Sequence, residues 1–373
     1  MIPTLLQSIF CHFVFLAFIK NSKKCKAKNV ISEVKWRSKT RKLLFKWVQF
    51  MKYMFLFFVI LFSDLTATTV IIGGGPAGLG AAIACRLQGE EVIVIEKRAE
   101  YTRDQFLFLI PESIEQLKIW DVQLPQMQKA EVRPGICIGF LSIQHLEREL
   151  CQRALALGVV IRQETFSFLD PMRKSVFLEN SSEALPYDLL IAADGLHSQV
   201  RQSLNIPFIE IGRASAIAAL FSMKETNDVD ISQPIQKGSF FARRIAGPGF
   251  SLVLMQNFKK FSLEEMSDIV YQCDWLEESL LLKKRQGSIS DPIPVILARA
   301  KQFFDLPTNA VLIGDAAAVA SFFQGRGANT AIETAGIVGR YLFSLKKGQF
   351  IDFEKAMEQA TDNLIDHSRF LFE

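Results

Sequence analysis

A chain of 373 residues, 49% of them hydrophobic, is long enough to bury a sizeable core as one large domain or two ordinary ones. Its formal charge of +4 is unevenly spread: lysines and arginines crowd between Lys20 and Lys52 against Glu33 alone, so the remainder is slightly acidic and carries no nucleic-acid footprint. The six cysteines (Cys11, Cys25, Cys85, Cys137, Cys151 and Cys273) are scattered, with no CxxC pair and no histidine at ligand spacing, which argues against a disulfide frame or a metal site and suits free thiols in a reducing compartment.

Two apolar stretches flank the basic segment. Residues 2–19 are long enough for a marginal membrane span, and Tyr53–Phe62 is nearer the length of a signal-peptide core. The expectation is a membrane-associated protein, attached through residues 1–62, whose later domain faces the cytoplasm by the positive-inside tendency. An interfacial element held to anionic lipid by the lysines is a second form of the same expectation. Translation from Met51 would instead give an exported form, and an unstructured extension is the plain alternative.

The first informative pattern follows. A β-branched strand, Thr69–Ile72, runs into Gly73-Gly74-Gly75-Pro76-Ala77-Gly78, then an alanine-rich helix, then a buried strand, Glu91–Ile95, that stops at Glu96. Strand, glycine turn, helix and strand in about thirty residues make one βαβ unit. Gly73 allows the tight turn, Gly75 lets a pyrophosphate approach the backbone, and Gly78 lets the helix lie close to the strand, while Glu96 falls where a carboxylate can accept from an adenosine ribose. The unit predicts dinucleotide binding.

Beyond it come Glu96-Lys97-Arg98, Arg103 seven residues after Glu96, an apolar run, and Pro111 before a helix. This arrangement resembles the FAD-dependent aromatic hydroxylases of the p-hydroxybenzoate hydroxylase type and, within them, the MICAL-type monooxygenases. The resemblance implies that Ala77, Arg98 and Arg103 join the glycines and Glu96 around FAD, with Arg103 near its ribityl or pyrophosphate portion. A next helix carries Leu146, Leu150, Ala154 and Leu157 at the spacing of one packed face and ends at Gly158, before a strand at Val159-Val160-Ile161. Gln144 matches a cofactor-contacting position of the family. His145 reads as a polar surface residue, and no histidine chemistry is assigned.

A second buried strand, Leu189–Ala193, delivers Asp194-Gly195 at its carboxyl end, where α/β sheets bind ligands. With Asp188, Ser198 and Arg201 it resembles the family's DG fingerprint, which implies a position near FAD and a transiently bound nicotinamide nucleotide. Residues 206–299 then change character, with short apolar runs at 216–223, 250–254 and 295–297, and one helical stretch over Leu263–Leu282. Arg243-Arg244, close to Gly247, reads as capping a hairpin in preference to binding an anion.

The third pattern is a strand, Ala310–Ile313, ending in Gly314-Asp315, followed by Gly325-Arg326-Gly327 at the start of a helix whose free N–H groups suit an anionic edge. It resembles the family's GD fingerprint, which implies contacts to FAD from Asp315, Gly325, Gly327, Ala328 and Asn329. Two departures stand out: Ala318 replaces a common histidine, and Phe322-Phe323 replaces the usual proline. After Ile337 the tail is short for the family, leaving the rear of the substrate pocket open or membrane-covered.

The expected fold is α/β: a Rossmann-like FAD-binding domain (67–205 and 300–373) with an inserted smaller mixed or antiparallel substrate-domain sheet (206–299), after an extension over 1–66. The implied activity is a FAD-dependent monooxygenase that consumes NADPH or NADH and dioxygen and hydroxylates an aromatic or other nucleophilic small molecule. No side chain is nominated as catalytic, because the cofactor carries the chemistry. A flavin reductase of the geranylgeranyl-reductase kind and a redox-inactive FAD-binding interaction protein are the alternatives.

Overall fold

The computed structural model describes residues 68–372, apart from 104, 134, 182, 224–229, 238–239, 248, 257–261 and 350. The stretches behind the membrane expectation lie outside the described residues. Among the described residues no helix is long and apolar enough to cross a membrane.

The β-branched run forms β1 (Thr68–Ile72), whose last four residues are buried, and the alanine-rich stretch forms α1 (Pro76–Leu87). β2 (Glu91–Ile95) returns parallel to β1. Next come β3 (Phe106–Leu109), α2 (Pro111–Ile119), β4 (Gln128–Arg133) and β5 (Ile136–Ser142); β5 pairs with both β3 and β4 in a small three-stranded sheet. Helix α3 (Ile143–Ala156) buries Leu146, Leu150 and Ala154 as the periodicity predicts, and Gly158 ends it before β6 (Val160–Arg162). A second three-stranded sheet holds β7 (Phe166–Asp170), β8 (Ser175–Leu178) and β9 (Ala184–Pro186). β10 (Leu189–Ala192), fully buried, precedes the short α4 (Gln199–Ser203).

The middle of the chain is largely sheet: β11 (Phe208–Ser222), β12 (Asp230–Ile231), β13 (Ile235–Lys237), β14 (Phe240–Gly247), β15 (Phe250–Gln256), β16 (Ser288–Ile289) and β17 (Ile293–Ala300). The single helix read over 263–282 is two, α5 (Leu263–Gln272) and α6 (Leu276–Lys283), because Asp274 adopts φ +61° and turns the chain between them. β18 (Phe304–Asp305), β19 (Ala310–Leu312), β20 (Ala318–Val319), α7 (Gly327–Lys346) and α8 (Phe353–Arg369) complete the described chain.

Two large sheets result. A six-stranded one has the order β18-β19-β10-β1-β2-β6, parallel except for its β18 edge. The other follows β12-β14-β15-β11-β17-β20, with β13 on β14 and β16 on β11, and its pairings are antiparallel. Helices α1 and α7 pack through small residues: a Cβ on Gly80 would lie 3.1 Å from the Ala335 Cβ, and one on Gly339 would lie 2.9 Å from the Ala84 Cβ. The chain leaves β19 through a tight turn at Gly314–Ala316 and enters the antiparallel sheet at β20, so one turn belongs to the edge where the two sheets meet.

Candidate active site: a flavin nucleotide cradle

Three strand ends come together in register, because Ile72 pairs with Ala192 and Ala192 with Leu312. Their following turns touch. Gly73 holds φ +105°, and a Cβ there would stand 2.3 Å from the Ala193 carbonyl oxygen, so glycine is required by conformation and by space. A Cβ on Gly78 would lie 1.9 Å from the Gly73 carbonyl oxygen, and one on Gly314 would lie 2.7 Å from the Ala77 Cβ. The first helical hydrogen bond of α1 runs from Leu79 N–H to the Gly75 carbonyl at 2.9 Å, which leaves the N–H groups of Ala77 and Gly78 ahead of it. Gly75 itself faces open space: the nearest groups to a Cβ there, at 3.9 Å, are the Arg103 guanidinium and Glu147 Oε1.

The charges around this opening form one network. Glu96, at the end of β2 and 6% exposed, accepts from Gly74 N–H and Arg98 N–H, each at 2.8 Å, and from the Arg98 side chain in a two-pronged grip. Burial opposes its ionisation, but the Arg98 and Gly74 hydrogen bonds outweigh that and hold its carboxyl below the usual range. Arg98 also reaches Glu147 Oε1 at 3.3 Å, and Arg103 pairs with the same oxygen. Glu147 is fully buried on α3, and its other oxygen, Oε2, has no hydrogen-bond partner. The sequence reading missed it. The signal was present: Ile143, Glu147, Leu150 and Ala154 form one stripe at helical spacing, and an acid on a buried stripe needs a cation.

Asp315 stands opposite. Its side chain is reached by solvent while Gly314 and Ala316 on either side are buried. The protein packed around it raises its carboxyl above the usual value, and the Arg103 charge draws it back down. The opening of α7 completes the ring. Gly325 holds φ +63°, and a Cβ there would lie 2.1 Å from the Phe108 ring. A Cβ on Gly327 would meet nothing within 4 Å, and the N–H groups of Gly327, Ala328 and Asn329 begin the helix without intrahelical acceptors.

Some predicted residues have other work. Asp194 Oδ2 accepts from Gln199 N–H at 2.7 Å and Val200 N–H at 3.3 Å, capping α4; its Oδ1 is buried without a partner, and Gly195 beside it is open. Gln144 donates to the Tyr101 carbonyl at 2.6 Å, fixing a loop whose ring lies 5.2 Å from the Arg98 guanidinium. Asn329 commits its side chain to the backbone, accepting from Ile110 N–H and donating to the carbonyls of Phe108 and Gly325, so it has only its main-chain N–H to offer a cofactor. Arg243 and Arg244 belong to a hairpin, β14 folding back on β15 with Gly247 paired to Phe250, as the sequence suggests. Both lie inside β14; Arg244 pairs with Asp230 and Glu278, and Arg243, 7% exposed, bonds the Phe323 carbonyl at 2.7 Å. Burial and the nearby Arg326 charge pull the Arg243 pKa down to about 10.

Residues 68–103 match the family described as "FAD binding domain", the segment that forms β1, α1, β2 and Arg103. The chain is 30% identical over 174 residues to a FAD-dependent monooxygenase, OpS4, of Beauveria bassiana, covering 39% of this chain and 40% of that protein. It is 26% identical over 235 residues to the [F-actin]-monooxygenase MICAL2 of Homo sapiens, covering 58% of this chain and 11% of that one. It therefore spans well under half the length of either curated relative. Among solved structures it superposes on 2-methyl-3-hydroxypyridine-5-carboxylic acid oxygenase with a TM-score of 0.60 at 21% identity, over 81% of this chain and 89% of that one. The Diels-Alderase PyrE3 gives 0.63 at 17% identity, over 82% and 72%.

The chain carries the FAD-binding signature and the fold of the FAD-dependent monooxygenases of the p-hydroxybenzoate hydroxylase type. The cradle fits such a cofactor. Side chains are missing where a pyrophosphate needs backbone, at Gly75 and Gly327, cationic Arg103 borders the opening, and the unpaired acceptors Glu147 Oε2 and Asp194 Oδ1 are buried near its rim.

Proposed function

We propose that the protein is an NAD(P)H-consuming, FAD-dependent monooxygenase that transfers one atom of dioxygen to a small aromatic or other nucleophilic substrate and releases the second as water. The observation that carries this reading is the packing of the GD turn on the glycine turn, Gly314 against Ala77, with the Arg103 guanidinium beside Gly75. OpS4 and MICAL2, named as monooxygenases, support it from the side of sequence.

FAD, when bound, supplies the hydride acceptance and oxygen activation. The chain's own residues hold and orient it. The N-terminus of α1 and Arg103 suit the pyrophosphate, combining free N–H groups, helix dipole and a cation. Glu96 suits the adenosine ribose, its carboxylate kept ionised by Arg98. Asp315 suits the ribityl hydroxyls, and the first N–H groups of α7 suit the electron-rich edge of the flavin ring. The antiparallel sheet covers the face where substrate would meet the ring and water must be kept out.

Anaerobic mixing with NADPH and with NADH tests the reading. Bleaching of the bound flavin, followed by substrate-dependent oxygen uptake, is the expected result. Bleaching with electron transfer but no oxygen incorporation would make the protein a reductase, and failure to bleach with either nucleotide would make it a binding module. The apolar and lysine-rich residues 1–62 further support a membrane-associated form with the flavin domain on the cytoplasmic side. Mass spectrometry of the native first residue separates that form from one starting at Met51.

A further inference from the structure

The segment that follows β20, Ser321–Gly325, is where this chain departs from the family's proline. It leads directly into α7, so its placement sets where the first N–H groups of that helix stand. Phe322-Phe323-Gln324 forms a single 3-10 turn, and Ser321 caps it with its hydroxyl accepting from Phe323 N–H at 3.3 Å. Proline would stiffen such a segment by fixing one dihedral. Here the stiffness comes from outside the segment.

Two side chains of the antiparallel sheet reach it. Gln256 faces Phe241 across the β14–β15 pair, and Arg243 is two residues from Phe241, so the two project from the same face of the sheet. Gln256 is fully buried; its oxygen accepts from the Ser321 hydroxyl at 2.5 Å and its nitrogen donates to the Leu371 carbonyl at 2.8 Å. Arg243 donates to the Phe323 carbonyl at 2.7 Å, to Gln324 Oε1 at 3.3 Å and to the Ser232 carbonyl at 3.1 Å. These described acceptors are all neutral. A buried guanidinium held by neutral oxygens is costly to keep, and a neutral donor could satisfy any one of them. What arginine alone provides is a rigid fork that holds two successive residues of the turn and the sheet backbone at once.

The far side of the turn is equally constrained. Phe323 is fully buried in a cluster with Phe108, Phe241, Ile245, Leu254 and Leu371, and Gly325 lies flat against the Phe108 ring. Leu371, near the end of the described residues, is buried in the same cluster and accepts from Gln256.

We propose that Arg243 and Gln256 are positioning residues, which clamp Ser321–Gly325 to the substrate-side sheet and thereby hold the N-terminus of α7 against the flavin ring in place of the family's proline. The proposal rests on the FAD reading above. It predicts that loosening the clamp disturbs the ring end of the cofactor and spares the nucleotide end, because the glycine turn, Glu96 and Arg103 lie on other elements.

The test compares FAD with ADP, which lacks the flavin, by calorimetry, and adds the visible absorption spectrum of bound FAD. Arg243→Met and Gln256→Leu are expected to weaken FAD about tenfold and to alter the flavin band, while ADP stays within about twofold of wild type. Arg243→Lys, which keeps a donor for the Phe323 carbonyl but loses the fork, should recover only part of the FAD affinity and the band shape. Ser321→Ala leaves both sheet strands intact and is the decisive variant should the others fail to fold. Equal losses for FAD and ADP, or a wild-type FAD affinity and spectrum in Ser321→Ala and Gln256→Leu, would overturn the clamp. A wild-type protein that binds neither ligand removes the FAD reading itself, an outcome distinct from a clamp that fails in a protein that does bind FAD.

Discussion

Arg103 and Glu147, 44 positions apart in the chain, form an ion pair beside Gly75. The carboxylate is fully buried, while the Arg103 side chain is 43% exposed, so the acid anchors and the arginine reaches outward. One oxygen of Glu147 serves both Arg103 and Arg98, which aims two cations at the glycine turn. Glu147→Gln keeps the volume and removes the charge that holds both. Flavin fluorescence titration is expected to show FAD binding weaker by roughly tenfold, and the apo-protein to lose on the order of 1–2 kcal/mol, less than for a fully buried pair because Arg103 can turn to water. An unchanged affinity would show that Arg103 needs no anchor.

The glycines of the first turn divide into two kinds, and substitution separates them. Gly78→Ala would place a methyl 1.9 Å from the Gly73 carbonyl and must push α1 off β1, an overpacking cost of about 3 kcal/mol in the apo-protein. Gly75→Ala meets nothing closer than 3.9 Å and has φ −80°, so the apo-protein should keep its urea midpoint while FAD affinity falls. The contrast is read by unfolding without ligand and titration with it. A Gly75→Ala protein that binds FAD normally would move the pyrophosphate elsewhere.

Acid stability carries a sign that can be checked. The folded Glu96 carboxyl lies below its ordinary 4.5, so its contribution is present above about pH 4.5 and is lost as pH falls through the folded value. Asp194 has the opposite sign: desolvation raises it despite hydrogen bonds from Ser198, Val200 and Gln199, so its burden is relieved on acidification. Urea midpoints measured between about pH 7 and pH 3 should show a lower neutral value and a flatter acid limb for Glu96→Gln. Asp194→Asn, which keeps an oxygen to cap α4, should hold or gain midpoint at neutral pH. The same acid limb in Glu96→Gln and wild type would contradict the assignment.

What the sequence made legible was local. The unit from β1 to Glu96 declares itself because turn, helix face and strand burial each leave a mark within a few residues, and β10 and β19 end in their fingerprints where buried strands should. Glu147 stayed hidden because its partners, Arg98 and Arg103, are far away in sequence, although its place on the apolar stripe of α3 could have exposed it. Strand β14 was obscured by Arg243-Arg244: charges inside a strand look like a turn until the opposing carbonyls and Glu278 are known. The break between α5 and α6 lay in one positive φ at Asp274, and nothing in a run of apolar and acidic residues announces it. The resemblance to the GD fingerprint implies a cofactor contact from Asn329, yet its side-chain amide is spent on the backbone of Phe108, Ile110 and Gly325.

That last residue gives a final prediction. Asn329 is 2% exposed and joins three segments, accepting from Ile110 N–H at 3.0 Å and donating to the carbonyls of Phe108 at 2.9 Å and Gly325 at 3.0 Å. Asn329→Ala leaves one buried donor and two buried acceptors without it, a loss of about 2–3 kcal/mol in the apo-protein. Asn329→Asp restores the acceptor but not the two donors, and sets a carboxylate against two carbonyl oxygens, so it should be no better than alanine. A direct cofactor ligand would behave otherwise, with little effect on the apo-protein and a large one on FAD affinity. Chemical unfolding of both variants without FAD, beside titration with it, tells the two roles apart: loss of stability first, with binding following it, is the expected order.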